Sequence, residues 1–161
     1  MDTRLQQAIT LREQGEGEKA LAILQRLLEE QPNHPEYLYQ CAWTHDVLGL
    51  ERAAVPYYEQ AIRAGLQGED LRGALLGLGS TFRTLGEYAR SEEVLRAGMQ
   101  QFPEGREFPV FLAMTLFNLE RHEEAMRLLL VQLAETTQDE GIAQYRRAIR
   151  YYADRLRETW D

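Results

Sequence analysis

Apolar residues recur along this chain with the period of an α-helix, in short segments separated by Gly or Pro. In the clearest segment Leu75, Leu78 and Phe82 share one helical face before a break at Gly86, and a second apolar face follows and ends at Pro103. Apolar residues three or four positions apart lie on one side of a helix, and Gly and Pro mark helix ends. The pattern predicts two short amphipathic helices joined by a tight turn.

The same unit recurs at intervals of close to 34 residues. The predicted repeats cover about residues 1–34, 35–68, 72–105 and 106–139, and their turns lie at Gly15 to Gly17, at Gly49, at Gly86 and at Glu120, where Gly is expected. Two helices joined by so short a turn must be antiparallel neighbours. The exit from the second repeat looks loose and inserts about three residues. Pro56 lies inside a predicted helix and favours a kink or a late helix start.

Residues 140–161 are predicted to form one last helix. Its apolar stripe consists of Ile142, Tyr145, Ile149, Tyr152, Leu156 and Trp160. Ile149 is bulky where a repeat has a small residue for close helix packing, so no partner helix is expected to follow. Stacked repeats need such a helix to cover their last apolar face. We therefore predict nine helices, as four pairs and a cap, in a single domain over residues 1–161.

The segment Leu78-Gly79-x-x-Phe82, with Ser91 at the position of a conserved alanine and Pro103 at the end, resembles a tetratricopeptide repeat. The resemblance covers essentially the whole chain and extends to small bacterial tetratricopeptide-repeat (TPR) proteins of unassigned role. It implies an all-α fold, a right-handed superhelix of antiparallel helix pairs whose first helices line a concave groove. Most such proteins are scaffolds or adaptors without catalytic activity that hold peptides or partner helices.

The resemblance also identifies the groove-facing positions of the first helices. The first repeat contributes Leu5, Ile9, Arg12 and Glu13, and Glu36, Val47, Thr84 and Asn118 are further groove positions. The predicted partner-binding residues are Tyr39, Trp43, Asp46, Leu76, Ser80, Arg83, Val110, Met114, Phe117, Arg146 and Arg150. Family members that clamp a terminal carboxylate use Lys, Asn and Arg where this chain has Leu, Ile, Tyr and Trp, so that clamp is not expected. The predicted groove is apolar and aromatic in the middle, acidic towards the first two repeats and basic towards the cap.

Several of these residues have two readings. Tyr39 and Trp43 are four residues apart on one helical face, and they either anchor a bound segment or pack internally. Met114 and Phe117 resemble them, with internal packing favoured because their helix is apolar almost all round. Arg83, Arg146 and Arg150 either bind an acidic peptide or pair with surface acids such as Asp154. Such a surface pair contributes only ~0–1 kcal/mol.

Composition and charge narrow the possible partners. The 161 residues suit one domain, and a net charge of −8 disfavours nucleic acid and anionic membranes. A single cysteine, Cys41, excludes an internal disulfide and a cysteine-based zinc site. The first residues show no secretory signal, and no apolar run reaches the roughly 20 residues of a membrane span. These features lead us to expect a cytoplasmic protein.

Residues able to carry chemistry are few and scattered. His34, His45 and His122 lie in different repeats without metal-ligand spacing, and Gly77-x-Gly79 follows a helix rather than a strand, so it is not a nucleotide loop. No nucleophile–base arrangement exists, so we expect no enzyme, no catalytic residue, no metal and no cofactor. The sequence favours a module that binds a protein or peptide segment. The alternative is a structural homo-oligomer in which the groove or the aromatic cap stacks on another copy.

Overall fold

The computed structural model describes residues 2–161, and over this range the chain forms helices and no β-strand. The ten helices of the described range are α1 Thr3–Glu13, α2 Gly17–Glu30, α3 Pro35–Val47, α4 Glu51–Arg63, α5 Gly68–Thr84, α6 Tyr88–Gln101, α7 Glu107–Asn118, α8 His122–Thr136, α9 Glu140–Ala143 and α10 Arg146–Tyr152. The predicted all-α fold class is confirmed. The chain divides into two compact units, one ending at Glu87 and one beginning at Tyr88, and each is described by itself.

The same hydrogen-bonded turn ends α1 and α3 in the first unit. Gly15 and Gly49 adopt φ angles of +81° and +71°, a left-handed conformation that costs glycine little. The amide of the residue after each glycine donates to the carbonyl five positions back: Glu16 to Leu11 at 2.8 Å, and Leu50 to His45 at 2.9 Å. This is the Schellman arrangement, which satisfies carbonyls at a helix end. The turns predicted at these glycines are therefore confirmed.

In the first unit each helix packs on its neighbours in sequence, from α1 to α5. Leu5, Leu24, Leu27 and Cys41 are fully buried between them. The predicted loose exit after α4 is shorter than expected, because α5 begins at Gly68 and its first turn uses part of that segment. A late start of α4 is also wrong: the helix begins at Glu51 and includes Pro56.

In the second unit α7 packs against α6 and α8, and α10 packs on α8. Phe108 is fully buried and its ring lies against Gly98, the small residue of α6 that allows this close approach. The Ser91 hydroxyl lies 2.8 Å from that of Thr115, so both buried hydroxyls are satisfied. The turn predicted at Glu120 is confirmed: its φ is +60°, and the Arg121 amide donates to the Leu116 carbonyl at 2.9 Å.

The prediction of one continuous helix over residues 140–161 is wrong, and so is the count of nine helices. Two short helices replace it, and residues 153–161 lie outside helices. The break brings Arg146 against the end of α8, where its Nε donates to the Ala134 carbonyl at 2.5 Å. Most helical stability comes from burying an apolar face. Four residues of the predicted stripe stay exposed, namely Tyr145, Tyr152, Leu156 and Trp160. Burial of the stripe therefore does not stabilise one longer helix. Of the ten helices in the described range, none is long and apolar enough to span a membrane.

Candidate partner-binding site

Tyr39 and Trp43 lie one turn apart on α3, and their environments differ. Tyr39 is buried, whereas Trp43 is 43% exposed, and the two ring centroids are 5.8 Å apart. The Tyr39 ring also approaches that of Tyr58 at 6.3 Å, and its hydroxyl lies against Gly73. Burial raises the pKa of Tyr39 to about 12. Tyr39 is therefore packed inside the protein, while Trp43 remains partly exposed to solvent.

Arg12 of α1 lies over the Trp43 indole. Its guanidinium carbon is 3.9 Å from the indole centroid, which is a cation–π geometry. Arg12 is only 6% exposed, and its Nη1 donates to Oε1 of Gln40 at 2.5 Å. Burial lowers the pKa of Arg12 from its ordinary value. Trp43 thus contacts Tyr39 and a guanidinium that Gln40 holds in place.

The sequence predicts that Arg12 faces the groove, but Arg12 is not one of the predicted partner-binding residues. A signal for its role was present: Arg12 and Asp46 are 34 residues apart and occupy the same position in successive repeats. Trp43, one turn before Asp46, is therefore next to Arg12 when the first helices of neighbouring repeats lie side by side. The sequence shows that the two residues are neighbours, but not that their side chains stack.

Asp46 is occupied inside the first unit. Its carboxylate accepts hydrogen bonds from the Tyr58 hydroxyl at 2.7 Å and from the Thr81 hydroxyl at 2.8 Å. Desolvation raises the pKa of Asp46, and these two donors act against the rise. The residue joins α3, α4 and α5. Both of these hydroxyl donors lie inside the protein, so the Asp46 carboxylate has the geometry of a structural group that holds helices together.

The other predicted residues form one group in each unit. In the first unit Leu76, Ser80 and Arg83 follow one face of α5 at helical spacing, and each is half-buried. In the second unit Val110 and Met114 on α7 are half-buried. Phe117, further along α7, is 61% exposed, and its ring centroid lies 5.0 Å from that of His122. Phe117 is therefore the exposed aromatic residue of the second group.

Arg146 and Arg150 both contact the end of α8. Besides its bond to Ala134, Arg146 donates through Nη2 to the Thr137 carbonyl at 3.1 Å. Arg150 approaches Glu135 at 3.4 Å. Asp154, predicted as one example of a nearby acid for these arginines, pairs with Arg155 at 2.9 Å.

The histidines and the cysteine have local partners. The His45 Nδ1 lies 2.8 Å from the Cys41 carbonyl, the His34 side chain caps α3, and His122 contacts Glu120. Burial raises the pKa of the Cys41 thiol to about 12, and a thiol kept protonated is a poor nucleophile. Within residues 2–161 no three side chains of His, Cys, Asp and Glu come together as a metal site would require.

The repeated turns and the helix pairing agree with the comparison against known families. The sequence model described as "Tetratrico peptide repeat" matches residues 35–156, and a second, described as "Tetratricopeptide repeat", matches residues 2–34. The chain belongs to the tetratricopeptide-repeat family. Proteins with this fold serve protein–protein interaction and are typically non-enzymatic.

Solved TPR structures share the fold at low sequence identity. MamA superposes with a TM-score of 0.71 at 15% identity, covering 95% of this chain and 93% of MamA. A MamA chain from residue 41 to its end, from Desulfovibrio magneticus RS-1, gives 0.68 at 18% identity, with 99% of each chain covered. PilF of Pseudomonas aeruginosa gives 0.67 at 16% identity, covering 99% of this chain and 77% of that one. No curated protein is significantly similar in sequence. These matches show the fold alone.

Proposed function

We propose that this TPR chain is a non-enzymatic adaptor that binds a segment of another protein, with Trp43 as the main anchor. One observation carries the proposal: a half-exposed indole contacts both the buried Tyr39 ring and the Arg12 guanidinium. Large aromatic side chains dominate binding energy at interfaces. A side chain that is already immobilised loses little further rotamer entropy when a partner binds. The partner is a protein or peptide, and it binds the first unit where Trp43 is exposed on α3.

The remaining predicted residues belong to the same proposal with smaller roles. Leu76 and Ser80 on α5 offer a half-buried apolar and polar surface in the first unit, together with Arg83. In the second unit Val110 and Met114 offer apolar contact, and the exposed ring of Phe117 offers a second anchor. We assign Asp46 to the edge of the surface in the first unit, and Arg146 and Arg150 to the edge of the surface in the second unit, since their side chains already contact other parts of their own unit.

Differential affinity capture tests the proposal. Wild-type protein, Trp43→Ala and Trp160→Ala are immobilised, and the proteins that each retains from the source cell are quantified. Trp160 is the matched control, because it is also a half-exposed tryptophan but lies near the C-terminus. We expect a partner that wild type and Trp160→Ala retain equally and that Trp43→Ala loses, with helical circular dichroism unchanged in all three. The same retained proteins for wild type and Trp43→Ala would reject Trp43 as the anchor.

A structural homo-oligomer is the second candidate, and exposed apolar side chains of the second unit favour it. Met126, Leu129 and Leu133 form an exposed stripe along α8. Tyr151, Tyr152 and Trp160 form an exposed aromatic cluster with ring centroids 5.3 to 6.3 Å apart. Light scattering over a wide concentration range decides this point. A mass that rises with concentration in wild type, and not in Leu129→Glu, would support the oligomer, whereas a monomer at all concentrations would eliminate it.

A further inference from the structure

Arg12 keeps one edge of its guanidinium unused. Its Nη1 donates to Gln40, whereas its Nε and Nη2 have no hydrogen-bond partner within residues 2–161. In that same range no buried side-chain nitrogen or oxygen lacks a hydrogen bond, so Nε and Nη2 must reach solvent. The Nε–Nη2 edge carries two parallel N–H groups, which is the geometry that binds both oxygens of one carboxylate. A side chain that is 94% buried thus presents a bidentate donor edge to solvent.

The acids of the first unit leave this edge unpaired. Arg4, on the same helix as Arg12, has ion pairs to Asp2 at 3.3 Å and to Glu30 at 2.7 Å. Arg12 has no such pair with any described carboxylate, although the chain as a whole carries 26 acidic residues against 18 basic ones. A buried charge without a hydrogen-bonded counter-ion is costly, and desolvation lowers the pKa of Arg12 even though the Glu13 charge acts in the opposite direction. A carboxylate supplied from outside would offset this cost.

We propose that Arg12 receives the side-chain carboxylate of a glutamate in the bound partner segment, while an apolar neighbour of that glutamate lies on Trp43. The inference rests on the proposed function and specifies the partner's chemistry. Burial of Arg12 explains why a side chain is the source: the carboxylate must reach a guanidinium that is only 6% exposed, beside an indole that is 43% exposed. The two methylenes of a glutamate provide that reach and leave the partner backbone at the surface.

Three acetylated pentapeptides test the proposal on the full chain labelled with ¹⁵N. The first is Ala-Leu-Glu-Leu-Ala with an amidated end, the second has Gln for Glu, and the third is the Gln peptide with a free terminal carboxylate. The Nε–H resonance of Arg12 and the indole N–H of Trp43 are followed up to about 5 mM peptide, because a short segment binds weakly. We expect the Glu peptide to shift both resonances in a saturable manner and to bind about tenfold more tightly than the Gln peptide.

Two variants provide controls. Arg12→Lys keeps the charge but loses the two parallel donors, and we expect it to weaken binding of the Glu peptide by about tenfold. Arg26→Lys, an exposed arginine of α2, should change nothing. Should Arg12→Lys fail to fold, the wild-type resonances still decide the outcome.

Each remaining outcome overturns the inference. Equal binding of the Glu peptide and the amidated Gln peptide would leave Trp43 as an anchor and exclude an acidic partner residue, so the proposed function would survive alone. Tighter binding of the free-terminus peptide than of the Glu peptide would make a chain end the ligand of Arg12. Binding of none of the three peptides would reject the carboxylate site without touching the capture experiment, which tests the proposed function separately.

Discussion

Glu120 has a left-handed backbone conformation, which glycine adopts at lower cost. Of residues 2–161 it is the one non-glycine residue with a positive φ, +60°, at a turn where Gly15, Gly49 and Gly86 occupy the equivalent positions. A left-handed conformation costs a residue with a Cβ about 1 kcal/mol or more. Within residues 2–161 the Glu120 carboxylate contacts only His122, at 2.9 Å on the surface, and an exposed contact of this kind contributes little.

We therefore expect Glu120→Gly to stabilise the protein by about 1 kcal/mol. The measurement is the free energy of unfolding from urea denaturation followed by circular dichroism. Gly49→Ala is the reverse control: no atom lies within 4 Å of the added Cβ, so any loss of about 1 kcal/mol reports backbone strain alone. A less stable Glu120→Gly would show that the side chain, rather than the φ angle, matters at this turn.

At the scale of elements, four charged side chains join α6 to the start of α8. Arg96 bonds Glu92 at 2.8 Å and Glu124 at 2.7 Å, and Arg121 bonds the same two carboxylates at 2.7 and 2.6 Å. Hydrogen bonds from Arg96 and then from Arg121 lower the pKa of Glu124. A network shares the cost of ordering its side chains, so it stabilises the helix pair more than one isolated surface pair would.

Because of this network, we expect the stability of the protein to fall at low pH. Because the pKa of Glu124 is lower in the folded state, its contribution is present above the unfolded value of 4.5 and is lost as pH falls through the folded value. We expect Glu124→Gln to cost about 0.5–1 kcal/mol at pH 7 and much less at about pH 3. The measurement is urea unfolding at both pH values. Glu93→Gln, at an exposed acid outside the network, is the control, and an equal cost of Glu124→Gln at both values would contradict the prediction.

Gly98 tests how closely α6 and α7 must approach. Alanine is the better helix former by about 1 kcal/mol, so propensity alone predicts that Gly98→Ala stabilises α6. A Cβ at this position would instead overlap the buried Phe108 ring. We expect a loss of about 1–3 kcal/mol, measured by urea unfolding. A gain in stability would mean that the Phe108 ring moves freely and that the close approach is not required.

At the scale of the whole molecule, the parts predicted best are those with strong local signals. A left-handed helix end needs Gly, so the turns at Gly15 and Gly49 could be placed from the sequence. The start of α5 was missed because its glycine- and acid-rich first turn reads as a loop. The C-terminal stripe from Ile142 to Trp160 has helical spacing, but spacing does not show whether anything buries the stripe. Leu156 and Trp160 stay exposed, and residues 153–161 lie outside the helices.

The candidate site could be predicted in position but not in detail. Repeat spacing puts Arg12 and Trp43 on neighbouring first helices. Which aromatic residue is buried depends on packing against Tyr58 and Gly73, which come from other helices. The stacking of Arg12 on Trp43 depends on rotamers and on the hydrogen bond to Gln40. The roles of the predicted groove residues and a cytoplasmic location remain predictions.

The central claim is that Trp43 anchors a partner segment, and calorimetric titration of the captured partner segment tests it most directly. The segment is titrated into wild-type protein, Trp43→Ala and Trp160→Ala under one set of conditions. We predict that Trp43→Ala raises the dissociation constant at least about tenfold, because an anchoring aromatic residue contributes more than about 1.4 kcal/mol, and that Trp160→Ala leaves it unchanged. The same dissociation constant for wild type and Trp43→Ala would contradict the claim.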